Sequence, residues 1–174
     1  MKKQKLLIIL PEIYGRNKFI EDEISYYESR GFMVVCPDYY DAFDYEDEAE
    51  AYNLFMEKLG FSGGWLRVMI SVLSQGYENV FVLGYSVGAT LAWRQARGTK
   101  GIISVYGSRI RDYLDEKPEV PSLIILSKDE EFELEGAYYY DAGHGFMDSY
   151  GPSYDSKLAK EARALIDEFL DRSF

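Results

Sequence analysis

The stretch NVFVLGYSVGATLAW, residues 79–93, decides how this chain is read. Four apolar residues, Val80 to Leu83, form a run of buried-strand type, and the pattern after Ser86 is that of a helix. Between them, Gly84, Ser86 and Gly88 make a G-x-S-x-G pattern at the point where strand becomes helix. In that setting the pattern is the signature of a serine presented on a sharp, strained turn. Side chains at 84 and 88 would collide as the chain reverses around Ser86, which gives both glycines a physical purpose. The competing interpretation is an ordinary strand-to-helix turn with Ser86 as the N-cap.

Outward from this stretch, short aliphatic runs alternate with helical patterns. Leu6–Leu10 is a first strand, and NKFIEDEISYYESRG is a helix carrying Ile20, Ile24 and Tyr27 on one face, with Gly31 as C-cap. FMVVC is a second strand, stopped by Pro37. GWLRVMISVLSQG is a helix whose apolar face is expected to carry Trp65, Val68 or Met69, and Val72. NVFVLG is the third strand, GIISVYG and SLIILS the fourth and fifth, and GAYYY a weaker sixth. DSKLAKEARALIDEFL closes the chain with an amphipathic helix. The acidic, tyrosine-bearing segment 39–55 is the least regular part, a solvated loop running into an exposed helix or a cap over a site. This alternation predicts one α/β domain over residues 1–174, a three-layer α/β/α sandwich about a mainly parallel sheet.

Composition removes several classes of function. With 30 acidic against 19 basic residues the formal charge is −11, which disfavours nucleic acid and anionic membranes as partners. One cysteine, Cys36, and one histidine, His144, cannot build a Cys- or His-rich zinc site, so no metal or cofactor is expected. Cys36 ends a strand and is expected to be a buried, inert hydrophobe. The apolar run of five residues before Pro11 is too short for a signal or a membrane span, so the chain reads as cytoplasmic.

A serine hydroxyl needs a base, and His144, on the glycine-flanked loop YYYDAGHGFMD after the sixth strand, is the only imidazole. The acid should leave the end of the preceding strand. There SLIILSKDEEF offers Asp129, with Glu130 and Glu131 as neighbours; Asp129 is preferred because it comes soonest after the strand and its short side chain holds an imidazole more rigidly. The chain order serine, acid, histidine is that of α/β-hydrolases. Tyr14, Tyr39, Tyr40, Tyr85 and Tyr150 fall on loops at the carboxyl end of the sheet, where α/β sites lie, and suggest a neutral, partly aromatic pocket. Two rival functions are a phosphate- or nucleotide-binding α/β domain, and a non-catalytic hydrolase-like binding protein. The chain has neither a G-x-G-x-x-G nor a Walker-type lysine.

PEIYG after the first strand, VVCPDYY ending the second, GYSVGA, SVYG and AGHGF together resemble the dienelactone hydrolase family of the α/β-hydrolase fold, in order over most of the chain. The resemblance implies a minimal α/β-hydrolase with strand order 2-1-3-4-5-6 and a serine hydrolase acting on carboxylic esters or related acyl compounds such as lactones and thioesters. Carried over, the nucleophile falls on Ser86, the acid on Asp129 and the base on His144. The backbone N–H groups of Ile13 and Val87 become the oxyanion donors, and the glutamate beside the nucleophile becomes Glu12, in a positioning role.

Three features depart from the family pattern. The lactone-opening members typically carry cysteine where this chain has Ser86. Their arginine for the anionic substrate, four residues after the histidine, is here Asp148, which points to a neutral small-molecule ester. The helix between the last two strands is missing, and only the nine residues 128–136 connect them. Nine residues suit an antiparallel hairpin, which would send His144 to the far end of the sheet. Yet nine extended residues reach about 30 Å, against about 17 Å for a five-residue strand, so a parallel return is open to the chain.

Overall fold

The computed structural model describes residues 5–40 and 47–172. Its sheet has six strands in the order β2-β1-β3-β4-β5-β6: β1 Lys5–Leu10, β2 Met33–Val35, β3 Asn79–Tyr85, β4 Gly101–Val105, β5 Ser122–Ser127 and β6 Tyr138–Tyr140. Every neighbouring pair is parallel, so all six strands end on the same side. The expected α/β sandwich and strand order are both present.

The strands are apolar on both faces because helices cover both. Leu7, Ile9, Phe81, Leu83, Ile103 and Ile125 point to one side. There they meet Phe19, Ile20 and Tyr27 of α1 (Lys18–Ser29) and Ala162, Ile166 and Phe169 of α5 (Ser156–Asp171). Leu6, Ile8, Val80, Val82 and Ile102 point to the other. They pack on α2 (Glu48–Lys58), α3 (Gly64–Leu73) and α4 (Val87–Arg94). Period-two alternation with both sets buried is the mark of a doubly covered parallel sheet.

Helix boundaries follow local chemistry. Asn17 caps α1 by accepting from Ile20 N, Asp47 caps α2 through Glu50 N, and Asp155 caps α5 through Leu158 N. Gly31, at φ +88°, releases the chain after α1. The segment 39–55 contains α2; its residues 41–46 lie outside those described. The apolar face of α3 keeps Trp65 and Met69 of the expected set but not Val72. Leu66 and Ile70 are buried with Met69 and Leu73 packed beside them, whereas Val68 and Val72 are 64% and 60% exposed. Both stripes fit a 3.6-residue period in so apolar a helix, so docking against α4 and the sheet decided between them.

The return from β5 to β6 is parallel and contains no α-helix. A 3₁₀ turn, Lys128–Glu130, ends at Glu131 with φ +53°, and an irregular run with a turn at Leu134–Ala137 then leads to β6. Phe132, Leu134 and Ala137 of that run pack on Ile124 and Leu126 of β5 with Trp93 and Ile110. Three side chains of this helix-free strap thus cover what a crossover helix would. Lys128 N donates to Ala142 O at 3.2 Å, drawing the two ends of the connection together.

Candidate active site

Strand order reverses between β1 and β3, the place where an open α/β sheet leaves a crevice at its carboxyl edge. Ser86 stands there. Its backbone has φ +55° and ψ −114°, a conformation L-residues rarely adopt. Ser86 N donates to Val105 O (2.9 Å) and Ser86 O accepts from Ala89 N (3.0 Å), which clamps the turn between β4 and α4. The Ser104 hydroxyl donates to Ala89 O at 2.9 Å from beneath. A Cβ on Gly84 would lie 2.1 Å from Gly88 O, and one on Gly88 2.3 Å from Leu10 O. Both glycines are therefore required by backbone approach, as the pattern predicted. Ser86 is a strained elbow residue, and its side chain makes no N-cap hydrogen bond.

His144 faces it. Ser86 Oγ lies 2.9 Å from His144 Nε2. The other ring nitrogen, Nδ1, lies 2.7 Å from Glu130 Oε1. Asp129, the acid preferred from the sequence, is elsewhere: its Oδ2 accepts from the backbone N–H of His144 at 2.8 Å. The reason is the turn after β5. Ser127 and Glu130 form a reciprocal capping box, Glu130 Oε2 accepting from Ser127 N, which folds Glu130 inward to 1% exposure. Asp129, on the outer side of the same turn, supports the loop and not the ring. The S-x-x-E pattern of Ser127-Lys-Asp-Glu130 is a capping-box signal in the sequence by which the glutamate could have been chosen.

The imidazole is packed edge-on against Tyr106, with ring centroids 5.0 Å apart. Tyr106 itself has φ +43° at the end of β4, and its ring also touches Tyr85 and Phe146. Burial lowers the affinity of the His144 ring for a proton, but Glu130, Glu12 and Glu48 more than offset it, leaving its pKa above the ordinary histidine value.

Glu12 is 5% exposed and carries a carboxyl group pushed up to about 7, by burial first and by Asp148 second, with His144 opposing. Its carboxyl shares an open cavity of about 620 Å³ with Ser86 and His144, lined also by Ile13, Tyr14, Asp129, Asp148 and Tyr150. A smaller adjoining cavity runs from Ser86 and Val87 past Ile13 to Arg109 and Arg111. The backbone positions expected as anion donors, Ile13 and Val87, thus both border the crevice at Ser86, and Val87 opens α4.

The five tyrosines separate. Tyr14 and Tyr150 line the large cavity. Tyr39 and Tyr40 brace the loop that carries Glu12, their hydroxyls donating to Pro11 O (3.1 Å) and Ile13 O (3.0 Å). Tyr85 is not a pocket residue. Period-two alternation turns it away from the cavity into the core, where its hydroxyl donates to Glu23, itself paired with Arg163 of α5 (2.7 Å). Cys36 is half-buried, its thiol pushed up to about 12 by burial, consistent with an unreactive side chain.

Comparison with known proteins agrees with this geometry. Residues 1–133 match the model of the dienelactone hydrolase family. A carboxymethylenebutenolidase of Pseudomonas putida is 28% identical over 95% of this chain and 84% of its own length. The Bacillus subtilis protein YczH is also 28% identical, over 95% of this chain and 92% of its own. Among solved structures, a putative dienelactone hydrolase from Klebsiella pneumoniae superposes with a TM-score of 0.75, at 15% identity, over 98% of this chain and 88% of that one. From the strained serine, the parallel sheet that carries it and the family match, the chain belongs to the dienelactone hydrolase family and is a carboxylic ester hydrolase of the α/β-hydrolase fold.

Proposed function

We propose that Ser86, His144 and Glu130 act as a nucleophile, base and acid that hydrolyse small carboxylic esters or related acyl compounds, lactones and thioesters included, through an acyl-enzyme. The observation that carries this is the unbroken relay from Ser86 Oγ to His144 Nε2 (2.9 Å) and from Nδ1 to Glu130 (2.7 Å). With Glu130 ionised, the Nδ1 proton is held toward its carboxylate, and Nε2 keeps the lone pair that takes the hydroxyl proton. Ser86 Oγ then bonds to the acyl carbon, and the carbonyl electrons move onto oxygen. Backbone N–H groups of Ile13 and Val87 at the crevice would stabilise that oxyanion without reorganising. The imidazolium returns its proton to the departing alkoxide or thiolate. A water, deprotonated by His144, then attacks the acyl-enzyme and frees the acid and Ser86.

Glu12 serves as a positioning residue beside this relay, since it lines the same cavity and acts electrostatically on His144. Asp148, also in the cavity wall, makes the site unfavourable for a carboxylate substrate, so neutral esters should react faster than matched anionic ones. The test is labelling with a fluorophosphonate, read by mass spectrometry, alongside turnover of p-nitrophenyl butyrate. The native protein should carry the label on Ser86 and hydrolyse the ester, and Ser86→Ala should do neither. A native protein that neither labels nor turns over is a binding protein of hydrolase fold.

A further inference from the structure

We infer that Tyr85, Glu23 and Arg163, none of which lines the cavities at Ser86, are positioning residues that clamp the strained turn in its reactive geometry. This rests on the hydrolase reading of the same site. Among the described residues three non-glycine positions have a positive φ, and each adjoins the relay. Ser86 is the nucleophile, Tyr106 packs on the His144 ring, and Glu131 follows Glu130. Backbone of this kind persists only where the surrounding structure over-determines it. The capping box after β5 settles Glu131. What holds the other two lies on the α1–α5 face of the sheet.

Tyr85 ends β3 just before Ser86 and is in register with Val105 of β4, just before Tyr106. Its buried ring packs on Phe19 of α1, with centroids 5.0 Å apart, and on Tyr106, at 6.0 Å. One side chain therefore bears on both strained residues, on Ser86 through the backbone and on Tyr106 through ring contact. Its hydroxyl donates to Glu23 Oε2. Burial and the Glu23 charge keep that phenol protonated, so the donor is permanent. Arg163 of α5 grips the same carboxylate with both terminal nitrogens, Nη1 to Oε2 at 2.7 Å and Nη2 to Oε1. Nη1 also donates to the Tyr27 hydroxyl at 3.1 Å, and the guanidinium lies 4.5 Å from the Tyr26 ring centroid. Thus α1, α5 and β3 meet at one carboxylate. A buried ion pair is a poor device for stability alone, since well-packed apolar side chains of similar size hold a fold as well. What apolar packing lacks is direction. A bidentate guanidinium and a phenol on one carboxylate fix where the last residue of β3 sits, and with it the turn that follows.

The test sets Tyr85→Phe against Tyr26→Phe, whose lost hydroxyl joins α1 to Asp167 of α5 instead of β3. Both are read for fluorophosphonate labelling and for kcat/KM with p-nitrophenyl butyrate, well below either unfolding transition. In Tyr85→Phe the limiting labelling rate kinact and kcat/KM should each fall about ten-fold, the scale of a small misplacement of reacting groups, with KI of the reagent unchanged. Labelling should still run to completion, which marks every molecule as folded and slow. Tyr26→Phe should match the native rates. The double variant Glu23→Met/Arg163→Met replaces the ion pair by apolar side chains. It should unfold at a denaturant concentration close to the native one and label about ten-fold more slowly or worse. Adding Tyr85→Phe to it should cost nothing further, because the partner of the hydroxyl is already gone. If the double variant does not fold, Tyr85→Phe decides alone. Native rates in Tyr85→Phe or in the folded double variant, or equal losses in Tyr85→Phe and Tyr26→Phe, overturn the positioning role and leave the hydrolase intact. A native protein that neither labels nor hydrolyses the ester overturns the hydrolase reading, and this inference with it.

Discussion

At the scale of single residues, the turn Ser127–Glu131 separates two acids that the sequence places side by side. Glu130 meets the ring of His144 and Asp129 its backbone, so their removal should have unequal effects. Glu130→Gln is expected to lower kcat for a neutral ester by about 10³–10⁴, the scale set by mis-setting the tautomer of a catalytic imidazole. Asp129→Asn should cost about ten-fold or less, because the amide oxygen can still accept from His144 N. Equal losses in the two variants would remove the distinction. The pH profile provides a second check. Only neutral His144 can accept the serine proton, and its pKa is raised by neighbouring carboxylates against the effect of burial. The acid limb of kcat/KM should therefore lie above pH 6.5 and move down in Glu130→Gln.

Glu12 links the site to stability. Its carboxyl titrates near 7 in the folded protein against 4.5 for an unperturbed glutamate. The folded state thus holds more protons than the unfolded state between those values, and stability falls as pH rises through that window. On its own the shift corresponds to on the order of 3 kcal/mol lost by pH 8. Glu12→Gln should accordingly unfold at higher denaturant concentration than the native protein at pH 8, and with little difference at pH 4.5. A variant less stable at pH 8 would show that the carboxylate is held by stabilising contacts.

Among the elements, the strap between β5 and β6 replaces a helix with three apolar side chains. Phe132→Ala removes one of the side chains packed on Ile124 and Leu126, at a cost of about 2–3 kcal/mol judged from large-to-small substitutions of partly buried aromatics. Glu130 sits at the head of the same strap, so activity should fall further than stability at a temperature where the variant remains folded. Full activity in a folded Phe132→Ala would show that the capping box holds Glu130 without help. On the opposite face of the sheet, Tyr85, Glu23 and Arg163 tie the elbow strand to α1 and α5 by a buried, charge-assisted network.

For the whole molecule, one continuous sheet carries a packed core on both faces among the described residues. The chain should unfold as one domain. Far-ultraviolet circular dichroism and tryptophan fluorescence should report one coincident urea transition, Trp65 and Trp93 both lying on the α2–α4 side of the sheet. Two separated transitions would divide the chain. No helix among the described residues is long and apolar enough to cross a membrane.

The sequence by itself determined the alternation of strands and helices, the elbow at Ser86 and the one histidine able to serve it. Each of these is written in local patterns: period-two apolar runs, glycines at positions 84 and 88 where a Cβ has no room, and a lone imidazole on a glycine-flanked loop. Tertiary structure decided what depends on a direction in space. It chose Glu130 over Asp129, because a 3₁₀ turn sends neighbouring side chains to opposite sides and only one side holds the ring. It turned α3 so that Leu66 and Ile70 are inside and Val68 and Val72 outside, a choice that depends on which surface the helix meets. It carried Tyr85 into the core while leaving Tyr14 and Tyr150 at the cavity. Composition can count acids and aromatics, but only packing buries Glu12 in the wall of the cavity beside Asp148, where burial and that neighbouring charge raise its carboxyl above the ordinary range.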